Sequence, residues 1–236
     1  MHDYLISLIL GIVEGITEFL PVSSTAHLRM AESLLQISLT DGYWKMYSVV
    51  IQLGAILCLP VYFRTRIIFF LKSFLASSKK ATHPLSLVML AFVVTAIPAF
   101  LAAKLAGKNL ENLEVMAIAL IAGGIIMGAV DLARAKWEKA GAGAAGSPIH
   151  TWQMEKMTVM QAVVIGLCQV ISAVLPGTSR SMATIAGGQL MGLSRAAALE
   201  FSFFLSMPTM AAATLFTLLK ALKENGGGLA LAAHQW

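Results

Sequence analysis

Four long stretches of this chain carry no charged residue: 46–63, 84–103, 115–130 and 201–219. Uninterrupted apolar runs of about 17–25 residues read as transmembrane helices. Composition agrees, with 58% apolar and only 12% charged residues against about 25% charged in soluble domains. The expectation is an all-α polytopic membrane protein whose single membrane domain occupies 1–236. No cleavable leader is expected, because the apolar segment 4–13 has no Lys or Arg before it and meets Glu14 and Glu18 after it. Cys58 and Cys168 lie in apolar segments and read as small core residues, so neither a disulfide nor a redox compartment follows. The net charge of +5 comes from loops. No basic run is interleaved with aromatics, so nucleic acid is not an expected partner.

A proline-centred motif interrupts this pattern twice. The first copy is Glu14-Gly-Ile-Thr-Glu18-Phe-Leu-Pro21-Val-Ser23-Ser24-Thr25-Ala-His27, and the second is Gln169-Val-Ile-Ser-Ala-Val-Leu-Pro176-Gly177-Thr178-Ser179-Arg180-Ser181. In register, Gly11 pairs with Gly166, Ile16 with Ile171, Leu20 with Leu175, Ser24 with Ser179, Ala31 with Ala186 and Leu35 with Leu190, while Thr17 faces Ser172. Three spans separate the copies, and an odd number of crossings inverts the second relative to the first. Inverted repeats with broken helices place a site near the bilayer midplane.

Each copy predicts a re-entrant helix–break–helix hairpin. A helix over 4–20 stops at Pro21, and Ser23, Ser24 or Thr25 caps a second helix running to about Leu35. The second copy repeats this with a helix over 158–175, a break at Pro176-Gly177 and a helix over 179–191. The first repeat is thus 1–139, with hairpin 3–35 and three spans. A flexible cytoplasmic linker, 140–156, is Gly/Ala-rich at its start. The second repeat is 157–236, with hairpin 158–191 and a span at 199–220. The basic loops 64–80 and 134–156 belong in the cytoplasm and the loop 104–114 outside by the positive-inside rule, with Lys220 and Lys223 in mild conflict. Gly123-Gly124 and Gly187-Gly188 read as close helix-packing points rather than phosphate loops.

Irregular backbone at membrane depth requires a protein or water-filled surround, so the two breaks predict an internal polar cavity. Glu14 and Glu18 lie one helical turn apart, and intramembrane carboxylates are costly and mark function. They could jointly hold a divalent cation or perform acid–base work. A Ser beside a His is the minimal activated nucleophile, and His27 follows Ser24 by three residues, on the same side of the helix. Helix capping explains one of Ser23, Ser24 and Thr25, but not three hydroxyls followed by a histidine. Arg180 needs an anion to offset its cost in the membrane, and a phosphate or pyrophosphate fits its planar fork. Thr178, Ser179 and Ser181 add donors beside a helix N-terminus. An ion pair from Arg180 to Glu14 or Glu18 is compatible with this. Phosphoryl chemistry or transport on a lipid-linked anion are the two functions the residues suit.

These motifs, with Leu175-Pro-Gly-Thr-Ser-Arg180-Ser-Met-Ala-Thr184, Ile51-Gln52-Leu53-Gly54-Ala55 and Glu200-Phe-Ser-Phe-Phe-Leu-Ser-Met-Pro208, resemble the bacterial undecaprenyl pyrophosphate phosphatase, or bacitracin-resistance, family from about residue 3 to residue 220. The resemblance implies a multi-pass protein of the bacterial inner membrane that hydrolyses undecaprenyl pyrophosphate to the monophosphate for peptidoglycan synthesis, with its site facing the periplasm. It also implies a divalent cation, Mg2+ or Ca2+, served by Glu14 and Glu18. Ser24 is the implied nucleophile and His27 its partner, or the reverse, with Arg180 clamping phosphate. Ser23, Thr25, Gln52, Thr178, Ser179, Ser181 and Thr184 are the implied substrate contacts. The lipid substrate, membrane lipids and a second copy in a homodimer are the implied partners. Ala26 stands where the family commonly has Gly, so its methyl is expected to crowd the substrate slightly. Family members commonly continue for two further spans, so the second repeat reads as lacking its C-terminal spans. The alternative is a transporter or flippase for a polyprenyl phosphate, which needs Arg180 but no nucleophile beside a His.

Overall fold

The computed structural model describes residues 3–38, 42–105 and 113–224. Among these the chain is helical, without a named strand. The sequence expectations for 106–112 and for 225–236 lie outside the described residues.

Helices α1 (Asp3–Thr17) and α2 (Ser24–Leu34) form the first hairpin, and α7 (Val159–Val174) and α8 (Arg180–Leu190) the second. Their boundaries fall close to the predicted ones because the prolines set them: Pro21 and Pro176 lack the N–H that a continuing helix requires. Between the hairpins run α3 (Gly42–Tyr62), α4 (Arg64–Ala76), α5 (Pro84–Leu105) and α6 (Leu113–Ala140), and α9 (Arg195–Glu224) follows α8. Among the described residues, three helices are long and apolar enough to cross a bilayer: α5, α6 and α9. A fourth crossing results if α3 and α4, bent by 67° at their junction, form one span. This is a polytopic all-α membrane protein.

Two local expectations are corrected. The basic connection 64–80 is largely helix α4, whose Phe70 is fully buried against Phe204 and His83. Its Lys and Arg residues masked an apolar face that packs inward. The linker 140–156 is not loose along its length. His150 and Thr151 donate their backbone N–H groups to Gly192 O, Ser194 N donates to Thr151 O at 2.8 Å, and Ile149, Thr151 and Met154 are buried. Only its Gly-rich start has the turn character its composition suggested.

The main core lies behind the second hairpin. Phe70, Leu87, Ala91, Met127, Ile165, Ile185, Phe201 and Leu205 join α4–α9 there. Helices α5 and α7 approach so closely that a Cβ on Gly166 would lie 2.7 Å from Ala91 O. Thr95 Oγ1 bridges the two helices by hydrogen bonding to Ala91 O at 2.8 Å and Gly166 O at 2.9 Å. Gly187 and Gly188 are packing points as read from sequence, meeting Cys168 and Ala198. The first hairpin is held by a smaller cluster of Ile6, Leu10, Leu28 and Trp44.

Candidate active site

The tips of the two hairpins meet. Arg180, the first residue of α8, donates from Nη2 to Glu18 Oε1 at 2.5 Å. Ser181 Oγ donates to Leu20 O at 2.8 Å, joining the second hairpin to the first break. Glu18 follows the last residue of α1, yet its N–H still reaches Glu14 O at 2.9 Å, so the two acids keep the one-turn spacing. Its other oxygen accepts a hydrogen bond from Ser24 Oγ. Glu18 therefore sits between a hydroxyl and a guanidinium, each delivered by the first residue of a helix that follows a break.

These groups line a polar cavity of about 150 Å³ walled by Glu18, Ser23, Ser24, Thr25, Gln52, Ser172, Thr178, Ser179, Arg180, Ser181 and Met210. The two breaks thus enclose the internal polar space that the sequence required. Ser172 and Met210 escaped the sequence reading. The repeat register gave a signal for Ser172, since it faces Thr17. Both hydroxyls bond back into their own helix, Thr17 to Val13 O and Ser172 to Gln169 O at 2.7 Å each, but only Ser172 lines the cavity. Met210 stands two residues after Pro208 in α9, and nothing in its sequence context marked it.

Other expected residues fall elsewhere. Ser24 is hydrogen-bonded to Glu18 and not to His27. His27 Nδ1 lies 2.8 Å from Ser23 O, and because a carbonyl only accepts, Nδ1 donates and Nε2 is the ring nitrogen left for base or nucleophile chemistry. His27 lines a second cavity of about 350 Å³ with Pro21, Val22, Met30, Gly177 and Met182, which shares Ser179 with the first. The spacing of Ser24 and His27 put them on one side of α2, but the short reach from the break gave Ser24 to the nearer carboxylate. Thr184 does not line either cavity. It is buried, and its hydroxyl contacts Arg180 O, Ser181 O and Ser202 Oγ, the last at 2.7 Å, fastening α8 to α9. The Ala26 methyl lines the gap between α2 and α6 with Met30, Ser33 and Met116, away from the polar cavity.

The helix starts differ as well. Ser23 precedes α2 at φ 64, and no side chain caps that helix. Ser179 caps α8 by accepting from Met182 N at 3.2 Å, one turn into the helix. Glu14 is 1% exposed, and both of its carboxylate oxygens lack a hydrogen-bond partner. Arg180 Nη1 is likewise buried without a partner. No group of three His, Cys, Asp or Glu side chains gathers among the described residues.

The sequence has counterparts among known proteins. The family model described as bacitracin resistance protein BacA matches residues 7–234. An undecaprenyl-diphosphatase of Koribacter versatilis is 56% identical over 246 residues, covering 100% of this chain and 82% of the relative. Undecaprenyl-diphosphatase 3 of Acinetobacter baylyi is 42% identical over 214 residues, covering 91% of this chain and 75% of the relative. Undecaprenyl-diphosphatase 2 of Paramagnetospirillum magneticum is 40% identical over 233 residues, covering 94% and 80%. With a match that spans nearly the whole sequence, and both proline breaks inside it, the chain belongs to the BacA bacitracin resistance protein family.

Proposed function

We propose that this protein is an undecaprenyl-diphosphatase, releasing inorganic phosphate from undecaprenyl pyrophosphate and returning undecaprenyl phosphate to peptidoglycan synthesis. The observation that carries this is the convergence of Glu18, Ser24 and Arg180 in one polar cavity between two hairpin tips. The names of relatives up to 56% identical support the substrate.

In this reading Arg180 receives the pyrophosphate, with the hydroxyls of Thr178, Ser179 and Ser181 beside it. Ser24 Oγ attacks the distal phosphorus and passes its proton to Glu18, the carboxylate it already contacts. The phosphoanhydride bond breaks, undecaprenyl phosphate leaves, and Glu18 returns the proton to it. Water then attacks the phosphoserine, its proton goes to Glu18 and on to Ser24 Oγ, and inorganic phosphate departs. His27 Nε2 is the competing nucleophile, approaching from the second cavity. A polyprenyl phosphate carrier is less well supported, because a hydroxyl held by a carboxylate is what hydrolysis needs and transport does not.

The proposed cofactor is a divalent cation, and the support for it is Glu14, whose two carboxylate oxygens lack a hydrogen-bond partner. The unpartnered oxygens of Glu14 next to Glu18 form a hard oxygen donor set suited to Mg2+ or Ca2+. Glu14 with Glu18 would hold the ion, and it would supply neutralisation of phosphate charge. For orientation, Arg66 bonds Glu155 at 2.6 Å and Glu200 at 2.7 Å, gathering α4, the linker and the start of α9 at one end of the molecule. That end carries most of the Lys and Arg residues and in this reading faces the cytoplasm. The first hairpin then enters from the opposite face, toward the periplasm of the inner membrane.

The test is phosphate release from undecaprenyl pyrophosphate by the detergent-solubilised protein, with and without a chelator. Activity lost with chelator and restored by Mg2+ or Ca2+ is expected. Undiminished turnover in Glu18→Ala would defeat the reading, and normal Ser24→Ala activity with a dead His27→Ala would transfer the nucleophile to His27.

A further inference from the structure

The site above leaves one cluster of buried charge unused. On α2, Glu32 is 1% exposed and accepts from Arg29 Nη1 at 2.9 Å and from Ser48 Oγ of α3 at 2.9 Å. An ion pair across a single helical turn contributes little, while taking a carboxylate out of water is costly. A pair of this strength does not by itself offset the burial of Glu32, and ionisable groups held at such cost in membrane proteins mark function.

The position of the cluster relative to the cavity gives it a use. Thr25 and Gln52 line the polar cavity, from α2 and α3 respectively. Arg29 is four residues beyond Thr25, and Ser48 is four residues before Gln52. Each step is about one helical turn, roughly 6 Å. Both helices therefore carry a cavity residue and, one turn farther along the same face, a member of this cluster. On α2 that direction leads away from the break, toward the helix end at Leu34. Arg29 keeps 18% of its side chain accessible, whereas Glu32 is enclosed. A guanidinium has five N–H donors, and Glu32 takes only Nη1 among the described contacts.

We propose that Arg29 is a second anion subsite, one turn outside the polar cavity, which takes a phosphate group. Glu32, held by Ser48, fixes the guanidinium and moderates its charge, so that the anion is bound weakly enough to leave. The ligand chemistry is a phosphate oxyanion, arriving either as released inorganic phosphate or as the distal phosphoryl of the lipid substrate. Naming phosphate rests on the proposed phosphatase activity; the pairing and position of Arg29 do not.

The experiment measures inhibition of the detergent-solubilised full chain by inorganic phosphate, and its thermal stabilisation by phosphate without substrate. Arg29→Gln is expected to raise the inhibition constant about tenfold, the size of one lost charge-assisted hydrogen bond. Glu32→Gln is expected to move it the opposite way, because the guanidinium loses its competing carboxylate. A pair with a purely structural role makes both variants lose stability alike and leaves phosphate affinity unchanged in both, which overturns the proposal. If Arg29→Gln instead raises KM for the lipid pyrophosphate and leaves phosphate inhibition intact, the subsite serves the substrate's distal phosphoryl. If wild-type protein hydrolyses nothing, the phosphatase reading fails, and phosphate-dependent melting still decides whether Arg29 binds the anion.

Discussion

In the first hairpin the residue entering the second helix, Ser23, is held at φ 64, and no side chain caps α2. In the second hairpin the positive φ falls on Gly177, at 85, and Ser179 caps α8. The same plan, a proline break followed by hydroxyls, is thus spent in two ways. The second copy uses glycine for the turn and a serine for the cap, and its helix is buried along nearly its whole length, from Ser181 to Gln189. The first copy leaves its helix start uncapped, and Ser24 turns to Glu18 instead. A non-glycine residue at positive φ and a missing cap each destabilise, by about 1–3 kcal/mol for the strain and about 1 kcal/mol for the cap. Strain of this kind gathers where surrounding structure imposes it for function. The second hairpin positions Arg180 against Glu18, and the strained first one presents the Ser24 hydroxyl to the same carboxylate.

The comparison breaks most decisively at the contact between the hairpins. Arg180→Ala and Glu18→Ala should each lower phosphate release by at least 10²–10³-fold, the loss typical of one preorganised charge-stabilising donor. The double variant should be little worse than either single one, since both remove one unit. Additive losses would mean that the two hairpins act separately.

Next in size is the pair of equivalent serines. Ser24→Ala is expected to reduce turnover about 10²-fold or more while leaving the melting temperature near that of wild type. Ser179→Ala should cost about 1 kcal/mol of stability through the lost cap, with a much smaller effect on turnover. Equal effects on both readouts would erase the distinction between the hairpins.

The positive-φ residues at the two breaks, Ser23 and Gly177, should respond with opposite sign. Gly177→Ala meets both an unfavourable φ and the Met116 backbone, 2.6 Å from the new Cβ. It should lose about 2–3 kcal/mol, visible as a fall of several degrees in melting temperature. Ser23→Gly relieves strain and should gain up to about 1 kcal/mol, with turnover reduced if the hydroxyl contacts substrate.

The smallest expected effect tests the scaffold behind the second hairpin. Burial against Phe70 and Phe74 pushes His83, in the turn before α5, below the ordinary histidine pKa. The neutral ring accepts from Leu85 N at Nδ1 and lies 3.0 Å from Ser73 Oγ at Nε2. Because the folded value lies below the unfolded one, the stability it contributes is present above the unfolded pKa and is lost as pH falls through the folded one. Melting temperature should decline from pH 7 to pH 5, and His83→Gln should flatten that slope. An unchanged slope in the variant assigns the acid sensitivity to other groups.

Much of this was legible beforehand. Pro21 and Pro176 fixed the breaks to within a few residues, because a missing N–H acts locally whatever surrounds it. Glu14, Glu18 and Arg180 stood out because polar groups are costly inside apolar segments, and Gln52 came only from the family resemblance. Helix α4 was hidden, since Arg64, Arg66 and Lys72 gave it the look of a loop while its Phe70 packs on Phe204 of α9. The partner of Ser24 was hidden too: helical spacing put His27 on the same side, but spacing says nothing of what crosses from α1. Thr184 looked like a substrate contact and proved to tie α8 to α9 through Ser202, a residue eighteen positions away.

The sequence by itself determined that this chain spans a membrane, breaks twice at proline and carries its polar residues at those breaks. These are consequences of local backbone chemistry and of the cost of polarity in hydrocarbon. Only the tertiary structure decided which acid takes Arg180, which group takes the Ser24 hydroxyl, and that His27 faces a different cavity. Those choices depend on how two helix tips far apart in the chain are brought within a few ångströms, and hydrogen bonds are made or lost over distances that no spacing rule resolves.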